Sequence, residues 1–153
     1  MLRISKLTDY AIVLASHLAN AEGPWSSPRL ACETNLPKPT VAKILKALCR
    51  AGLVSSTRGV TGGYTLARSA DAISVGALIE AIEGPIAVTE CTDDHAETPC
   101  ILEGDCGLQA NWQRINDAVS AALDSIPLSA MAGRSVLTLV QLRTPDSASA
   151  KRT

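Results

Sequence analysis

The feature that most constrains the fold lies in the first 66 residues, where three helical patterns are followed directly by a glycine-rich hairpin pattern. Apolar residues at one-turn spacing predict a first helix from Leu7 to about Asn20. A serine cap followed by proline predicts a short second helix over residues 28–34. A third helix follows Pro37 and ends before Gly52, with basic residues on one side and an apolar stripe on the other. The stripe consists of Val41, Ile44, Leu45 and Leu48.

The hairpin pattern comes immediately after the third helix. Residues 53–57 and 64–66 predict two short strands, and residues 58–63 (RGVTGG) form the turn between them. The order helix, helix, turn, helix, hairpin predicts a mainly α fold with a small β-hairpin, the winged helix-turn-helix. In that fold the third helix enters the major groove of DNA, and the hairpin, or wing, lies against the neighbouring backbone or minor groove.

This arrangement nominates the residues that contact DNA. Lys38, Thr40 and Lys43 at the front of the third helix are expected to reach base edges or phosphates, and Arg58 in the wing is expected to reach the minor groove. The glycines of the turn do not have the spacing of a phosphate-binding loop in nucleotide-binding proteins. The expected partner is therefore a double-stranded DNA operator rather than a nucleotide.

Charge is divided unevenly along the chain, although the net charge is only −1. Residues 1–69 contain nine Lys and Arg against three acidic residues, whereas residues 70–153 contain five against twelve. A basic half favours contact with a polyanion. Ordinary solvated helix surfaces would produce the same counts, so the charge supports DNA binding only together with the fold pattern.

The second half of the chain predicts a helix that needs a partner. A short helix is expected over residues 73–82 and a long amphipathic helix from residue 108 onwards. The core of the first 69 residues is too small to cover the apolar stripe of this long helix, so we expect a homodimer through it. The stripe consists of Leu108, Trp112, Ile115, Val119 and Leu123.

The expected domain organisation has four parts. Residues 1–84 form the winged helix-turn-helix, residues 85–107 an acidic cysteine-containing loop, residues 108–143 the dimerisation helix and C-terminal segment, and residues 144–153 a disordered tail. No apolar run approaches the length of a membrane span, and the N-terminus lacks the apolar stretch of a signal peptide. We therefore expect a cytoplasmic protein with no membrane partner.

Three of the five cysteines lie in the acidic loop, with eight residues between Cys91 and Cys100 and five between Cys100 and Cys106. Thiolates bind iron-sulfur clusters, zinc or Cu(I). Structural zinc sites usually space close cysteine pairs by about two to four residues, so the long gaps favour an iron-sulfur cluster. The other two cysteines, Cys32 and Cys49, lie in predicted helices and are interpreted as half-buried apolar side chains.

A cluster usually takes four ligands, and the loop supplies three cysteines. Candidates for the fourth ligand are His95, Gln109 and Asp9. Adding His95 gives a Cys3His set that suits tetrahedral zinc, so the alternative is a zinc-stapled interaction or DNA-binding module without redox sensing. His17 and His95 form no evident dyad with a cysteine and a supporting Asn or Asp, so neither an enzyme nor a small-molecule substrate is expected.

Four features together resemble the IscR/NsrR type of bacterial iron-sulfur winged-helix transcription regulators. They are the opening LRISKLTDYA, the stretch VAKILKALCRAGLVSSTRGVTGGYTLAR, the following ISVGALIEAIEG, and three cysteines ahead of a long helix. The resemblance covers about residues 1–125 and looks closest to regulators of the SUF iron-sulfur assembly system. It implies a homodimer with crossing long helices, a cluster held by the three cysteines and one further ligand, and operator binding that changes with the state of the cluster.

The resemblance also bears on the fourth ligand. IscR-like members place a histidine three residues after the last cysteine, where this chain has Gln109, and their first cysteine gap is shorter. NsrR-like members use an aspartate on the first helix of the partner subunit, and Asp9 matches it within LTDYA. The resemblance thus favours Asp9 and leaves [2Fe-2S] and [4Fe-4S] open. The expected function is a repressor that senses iron-sulfur cluster or redox status and controls iron-sulfur assembly genes.

Overall fold

The computed structural model describes residues 3–92, 100 and 106–133. Predictions for His95, for residues 134–143 and for the tail at residues 144–153 lie outside the described residues. The helices and strands are α1 (Lys6–Ala19), α2 (Ser27–Thr34), α3 (Lys38–Arg50), β1 (Val54–Thr57), β2 (Gly63–Leu66), α4 (Val75–Glu83), α5 (Gln109–Asp124) and α6 (Leu128–Met131). Short 3-10 turns occupy Ala70–Ala72 and Glu90–Thr92. The predicted fold class, mainly helical with one small hairpin, is confirmed.

The core of the first half forms where α1, α2, α3 and α4 meet. All four residues of the predicted α3 stripe are fully buried, which confirms the side of that helix that faces inward. Leu14 of α1, Leu30 of α2 and Leu78 of α4 are equally inaccessible and belong to the same cluster. Gly52 follows α3 with a φ of +69°, a left-handed conformation that favours glycine after a helix end.

The start of α2 follows directly from its local sequence. The Ser26 side chain accepts a hydrogen bond from the Arg29 backbone N–H at 3.3 Å, and proline occupies the first turn. This confirms the predicted cap, although α2 begins one residue earlier than predicted, at Ser27.

A single residue from outside the hairpin, Trp25, pairs with β2, and the sequence pattern did not predict this pairing. Within the hairpin, β1 and β2 pair antiparallel with Val54 opposite Leu66. On the other edge of β2, the Trp25 N–H donates to the Tyr64 carbonyl at 3.0 Å, and the Tyr64 N–H donates back at 2.8 Å. A Cβ atom on Gly63 would lie 2.8 Å from the Trp25 backbone, so this close approach requires glycine. The bridge joins the α1–α2 connection to β2 of the wing.

The C-terminal helices are tied to the start of α4. The Val75 N–H donates to the Ile126 carbonyl at 2.8 Å, and the Leu128 N–H donates to the Ile73 carbonyl at 2.7 Å. Leu128 of α6 is fully buried in the main core. Neither α6 nor the turn at Ala70–Ala72 was predicted, because elements of three or four residues have too few positions to show a period. No helix among the described residues is long and apolar enough to cross a membrane.

Candidate DNA interface, dimer helix and cysteine centre

The outer side of α3 is basic and accessible. Lys38 and Lys43 are exposed, as are Lys46 and Arg50 further along the helix, while Thr40 is half-buried. This helix contains no acidic residue. The buried stripe therefore fixes the orientation of α3 on the domain. The four exposed cations suit binding to the phosphates that flank a DNA groove.

The predicted wing residue Arg58 is exposed at the end of β1. The turn that follows is closed by a hydrogen bond from the Gly62 N–H to the Gly59 carbonyl at 3.0 Å, and Gly59 has a φ of +116°. Val60 at the tip is fully exposed. The wing thus carries an exposed cation at the start of its turn, as expected for a hairpin that approaches DNA.

The apolar stripe of α5 is divided along its length. Leu108, Trp112 and Ile115 are 59%, 37% and 46% exposed, respectively. Val119 and Leu123, nearer the C-terminal end, are half-buried and line a groove of about 800 Å³ together with Ile79 of α4. The described residues therefore cover the second half of the stripe and leave the first half open to solvent.

Cys91 lies in the 3-10 turn Glu90–Thr92, which packs against α5. Its thiol is a free, half-buried group 3.2 Å from the Thr89 hydroxyl. Thr89 also bonds with Thr92, through its backbone N–H at 3.2 Å. The turn therefore holds Cys91 close to α5.

Cys100 and Cys106 are also free and half-buried. The Cys106 carbonyl accepts a hydrogen bond from the Gln109 N–H at 3.3 Å, so the third cysteine sits at the beginning of α5. Within residues 3–92, 100 and 106–133, no three His, Cys, Asp or Glu side chains are grouped to hold a metal ion. The donor set fits a thiolate-bound metal or cluster by its chemistry, while the described residues do not gather the three thiols into one site.

Asp9 is exposed on the first turns of α1, with its backbone N–H bonded to the Ser5 carbonyl at 3.1 Å. Beside it, the buried Thr8 hydroxyl donates to the Glu83 carboxylate, which also accepts from the Ser5 N–H at 2.9 Å. The hydrogen bond from Thr8, supported by that from Ser5, lowers the pKa of Glu83 below its ordinary value. The end of α4 thereby fixes the start of the helix that presents Asp9 to solvent.

Asn116 is a functional candidate that the sequence pattern missed. It is only 8% exposed, and its side-chain carbonyl accepts a hydrogen bond from the Val88 N–H at 3.0 Å. This bond links α5 to the segment that leads into Cys91. The only sequence signal for Asn116 is its position as a polar residue directly after Ile115 of the apolar stripe.

The two cysteines outside the loop differ from each other. Cys49 on α3 is half-buried as predicted, and burial raises the pKa of its thiol. Cys32 on α2 is exposed, so its assignment as a half-buried side chain was wrong. It lies on the outer side of an eight-residue helix whose buried residues are Leu30 and Ala31.

Comparison with known proteins agrees with this geometry. Residues 4–134 match the Rrf2 family, described as iron-dependent transcriptional regulators. The regulator CymR of Bacillus subtilis is 37% identical over 133 residues, which cover 86% of this chain and 90% of CymR. The solved structure of CymR, the global cysteine regulator of that organism, has a TM-score of 0.66 at 35% identity, covering 86% of this chain and 97% of the other.

Two further relatives point the same way. The repressor NsrR of Streptomyces coelicolor is 31% identical over 131 residues, covering 84% of this chain and 86% of NsrR. The structure of IscR from T. potens has a TM-score of 0.62 at 26% identity and covers 95% of this chain and 94% of the other. These relatives are named as transcriptional regulators and not as enzymes. With its winged helix-turn-helix and basic α3, the chain belongs to the Rrf2 family of DNA-binding transcriptional regulators.

Proposed function

We propose that this regulator is a homodimeric repressor that binds an iron-sulfur cluster through Cys91, Cys100 and Cys106 and controls genes for iron-sulfur cluster assembly. The observation that carries the proposal is the position of the three free thiols in the loop that enters α5. The iron dependence ascribed to the family and the resemblance to IscR and NsrR support it. Thiolates would hold the cluster, which when bound supplies a redox-sensitive group.

The chain's own residues provide a route from the loop to the dimer and DNA. The Cys91 thiol lies within hydrogen-bond distance of the Thr89 hydroxyl. The same segment is linked to α5 by the hydrogen bond from the Val88 N–H to the Asn116 side chain. The exposed first half of the α5 stripe would pack against the second copy. A change in the loop would then alter the relative placement of the two winged helices, and so their fit to paired half-sites.

We assign the fourth ligand to Asp9 of the partner copy, with His95 and Gln109 as the competing assignments. Asp9 is solvent-exposed on a helix whose start is held by Glu83, so its carboxylate is available to a second chain. Asp9→Ala, His95→Ala and Gln109→Ala proteins, reconstituted anaerobically, distinguish the three. Only Asp9→Ala should lose absorbance rapidly under chelator; rapid loss in His95→Ala alone would place all four ligands in one loop.

The experiment that tests the function is metal analysis of anaerobically purified protein. Wild-type protein should contain iron and acid-labile sulfide, and the triple variant Cys91→Ala, Cys100→Ala, Cys106→Ala should contain neither. The double variant Cys32→Ala, Cys49→Ala is the matched control and should retain both. Colourless protein with one zinc per chain would support a zinc-stapled module instead, and protein with no metal would favour a cluster-free regulator such as one of cysteine metabolism, the role that names CymR.

A further inference from the structure

An arginine in the first turn of α2 lies over Trp25, the residue that pairs with the wing. The Arg29 guanidinium carbon is 3.8 Å from the centre of the Trp25 ring. Arg29 is exposed, whereas Trp25 is half-buried. The pair therefore places a cation on an aromatic surface at the edge of the domain.

Trp25, the residue under the Arg29 guanidinium, is fixed in place by its neighbours. The Trp25 backbone pairs with Tyr64 of the wing through two hydrogen bonds. Gly63 leaves the space that this pairing needs. The Trp25 ring also packs near the buried His17 ring of α1, at 6.3 Å between centroids and 51° between planes. A side chain stacked on a ring held in this way loses less conformational entropy when it binds.

The donors of this guanidinium are available to a ligand. Among the described residues, the guanidinium lies over the Trp25 ring and forms no ion pair with Glu33, one turn further along α2. Stacking engages the face of the guanidinium and leaves the N–H groups at its edge. Arg29 also lies in the first turn of α2, where the helix dipole favours an anion.

We infer that Arg29, held on Trp25, is a preorganised contact for a DNA phosphate beside the wing. The inference rests on the DNA interface formed by α3 and the wing. In a helix-turn-helix the helix before the recognition helix crosses the DNA backbone, and here that helix is α2. A planar guanidinium binds a phosphate through two parallel hydrogen bonds. The contact adds affinity without reading sequence, because every duplex presents the same phosphates.

The inference is tested by the salt dependence of binding to a long mixed-sequence duplex, which requires no knowledge of the operator. Each phosphate contact adds about 0.9 to the slope of log affinity against log salt, so Arg29→Ala should lower the slope by about 1.8 in a dimer. At about 0.1 M salt the affinity should fall about eightfold per contact. Arg114→Ala on α5 removes the same charge from an exposed site outside this surface and should change neither quantity.

Two variants separate preorganisation from charge. Arg29→Lys should keep most of the salt slope but bind more weakly than wild type, because lysine cannot reproduce the stacked fork. Trp25→Leu keeps the backbone pairing with Tyr64 and should likewise lower affinity with little change in slope. If Trp25→Leu fails to fold, Arg29→Ala decides alone.

The outcomes distinguish this inference from the DNA interface itself. An unchanged slope and affinity in Arg29→Ala, with Lys43→Ala weakened, would overturn the role of Arg29 and leave the α3 interface standing. Failure of wild-type protein to bind any duplex at low salt would overturn both.

Discussion

The two halves of the molecule differ in how much of their apolar surface is buried. Residues up to α4 enclose a core in which Leu14, Ile44 and Leu78 are fully buried, and they direct their cations outward. Helix α5 buries only Asn116 and exposes Trp112 and Ile115, and the preceding residue Leu108 is exposed as well. An open apolar stripe of this kind usually marks an interaction surface. The core of the first half is therefore closed, with Leu128 of α6 inserted into it, while the first half of the α5 stripe stays open to solvent.

The largest effect is expected from placing charges in the exposed first half of the α5 stripe. The double variant Trp112→Asp, Ile115→Asp places charges in the exposed half of the stripe and should yield monomers, because an unpaired charge is costly to bury at an interface. Ala121→Asp, on the opposite side of the helix, is the control and should remain dimeric. Analytical ultracentrifugation measures the result. A dimeric double variant would show that the stripe is not the interface.

The next largest effect is expected from forming a cavity in the core of the first half, which should lower the free energy of unfolding. Ile44→Ala removes a fully buried side chain and should lower the free energy of unfolding by about 2 to 5 kcal/mol. Ala substitution of the exposed Leu108 should cost far less in a monomeric background. Urea unfolding of both proteins provides the comparison, and equal losses would contradict the division into a closed and an open half.

Loss of a DNA contact should weaken DNA binding without changing the oligomeric state. Lys43→Ala on α3 and Arg58→Ala on the wing should each cost about 1 to 3 kcal/mol where a base contact is lost, and less for a single phosphate contact. Both losses should shrink as salt is added. Fluorescence anisotropy with a labelled duplex measures them. Unchanged affinity in both variants would exclude the winged-helix mode of binding.

The smallest effect concerns pH and the buried His17. Its Nε2 atom has no hydrogen-bond partner among the described residues, and burial lowers its pKa from 6.5, opposed in part by Glu33. Stability is therefore full above pH 6.5 and falls as pH drops toward the folded-state pKa, by about 1.4 kcal/mol per unit of separation. His17→Leu should flatten the dependence of Tm on pH in this window. An unchanged slope in His17→Leu would assign the dependence to other groups.

How far the sequence predicts this molecule depends on the range of each contact. The α3 stripe and the Ser26 cap were predicted because they arise within one or two turns of chain. The pairing of Trp25 with Tyr64 and the burial of Leu128 join residues far apart in sequence, where no local period exists. Cysteine spacing identified three candidate ligands, but the fourth ligand of the proposed cluster leaves no pattern around those cysteines in the sequence.

Control of DNA binding by the cysteine loop is tested most directly by the DNA affinity of one protein preparation before and after anaerobic removal of the proposed cluster. Because loop and DNA-binding halves are joined through α5, the wild-type affinity for promoter DNA should change by about fivefold or more. Cys106→Ala should show no change, and Cys32→Ala should behave like wild type. Equal affinities for the loaded and stripped wild-type protein would contradict the claim that the cysteine loop controls DNA binding.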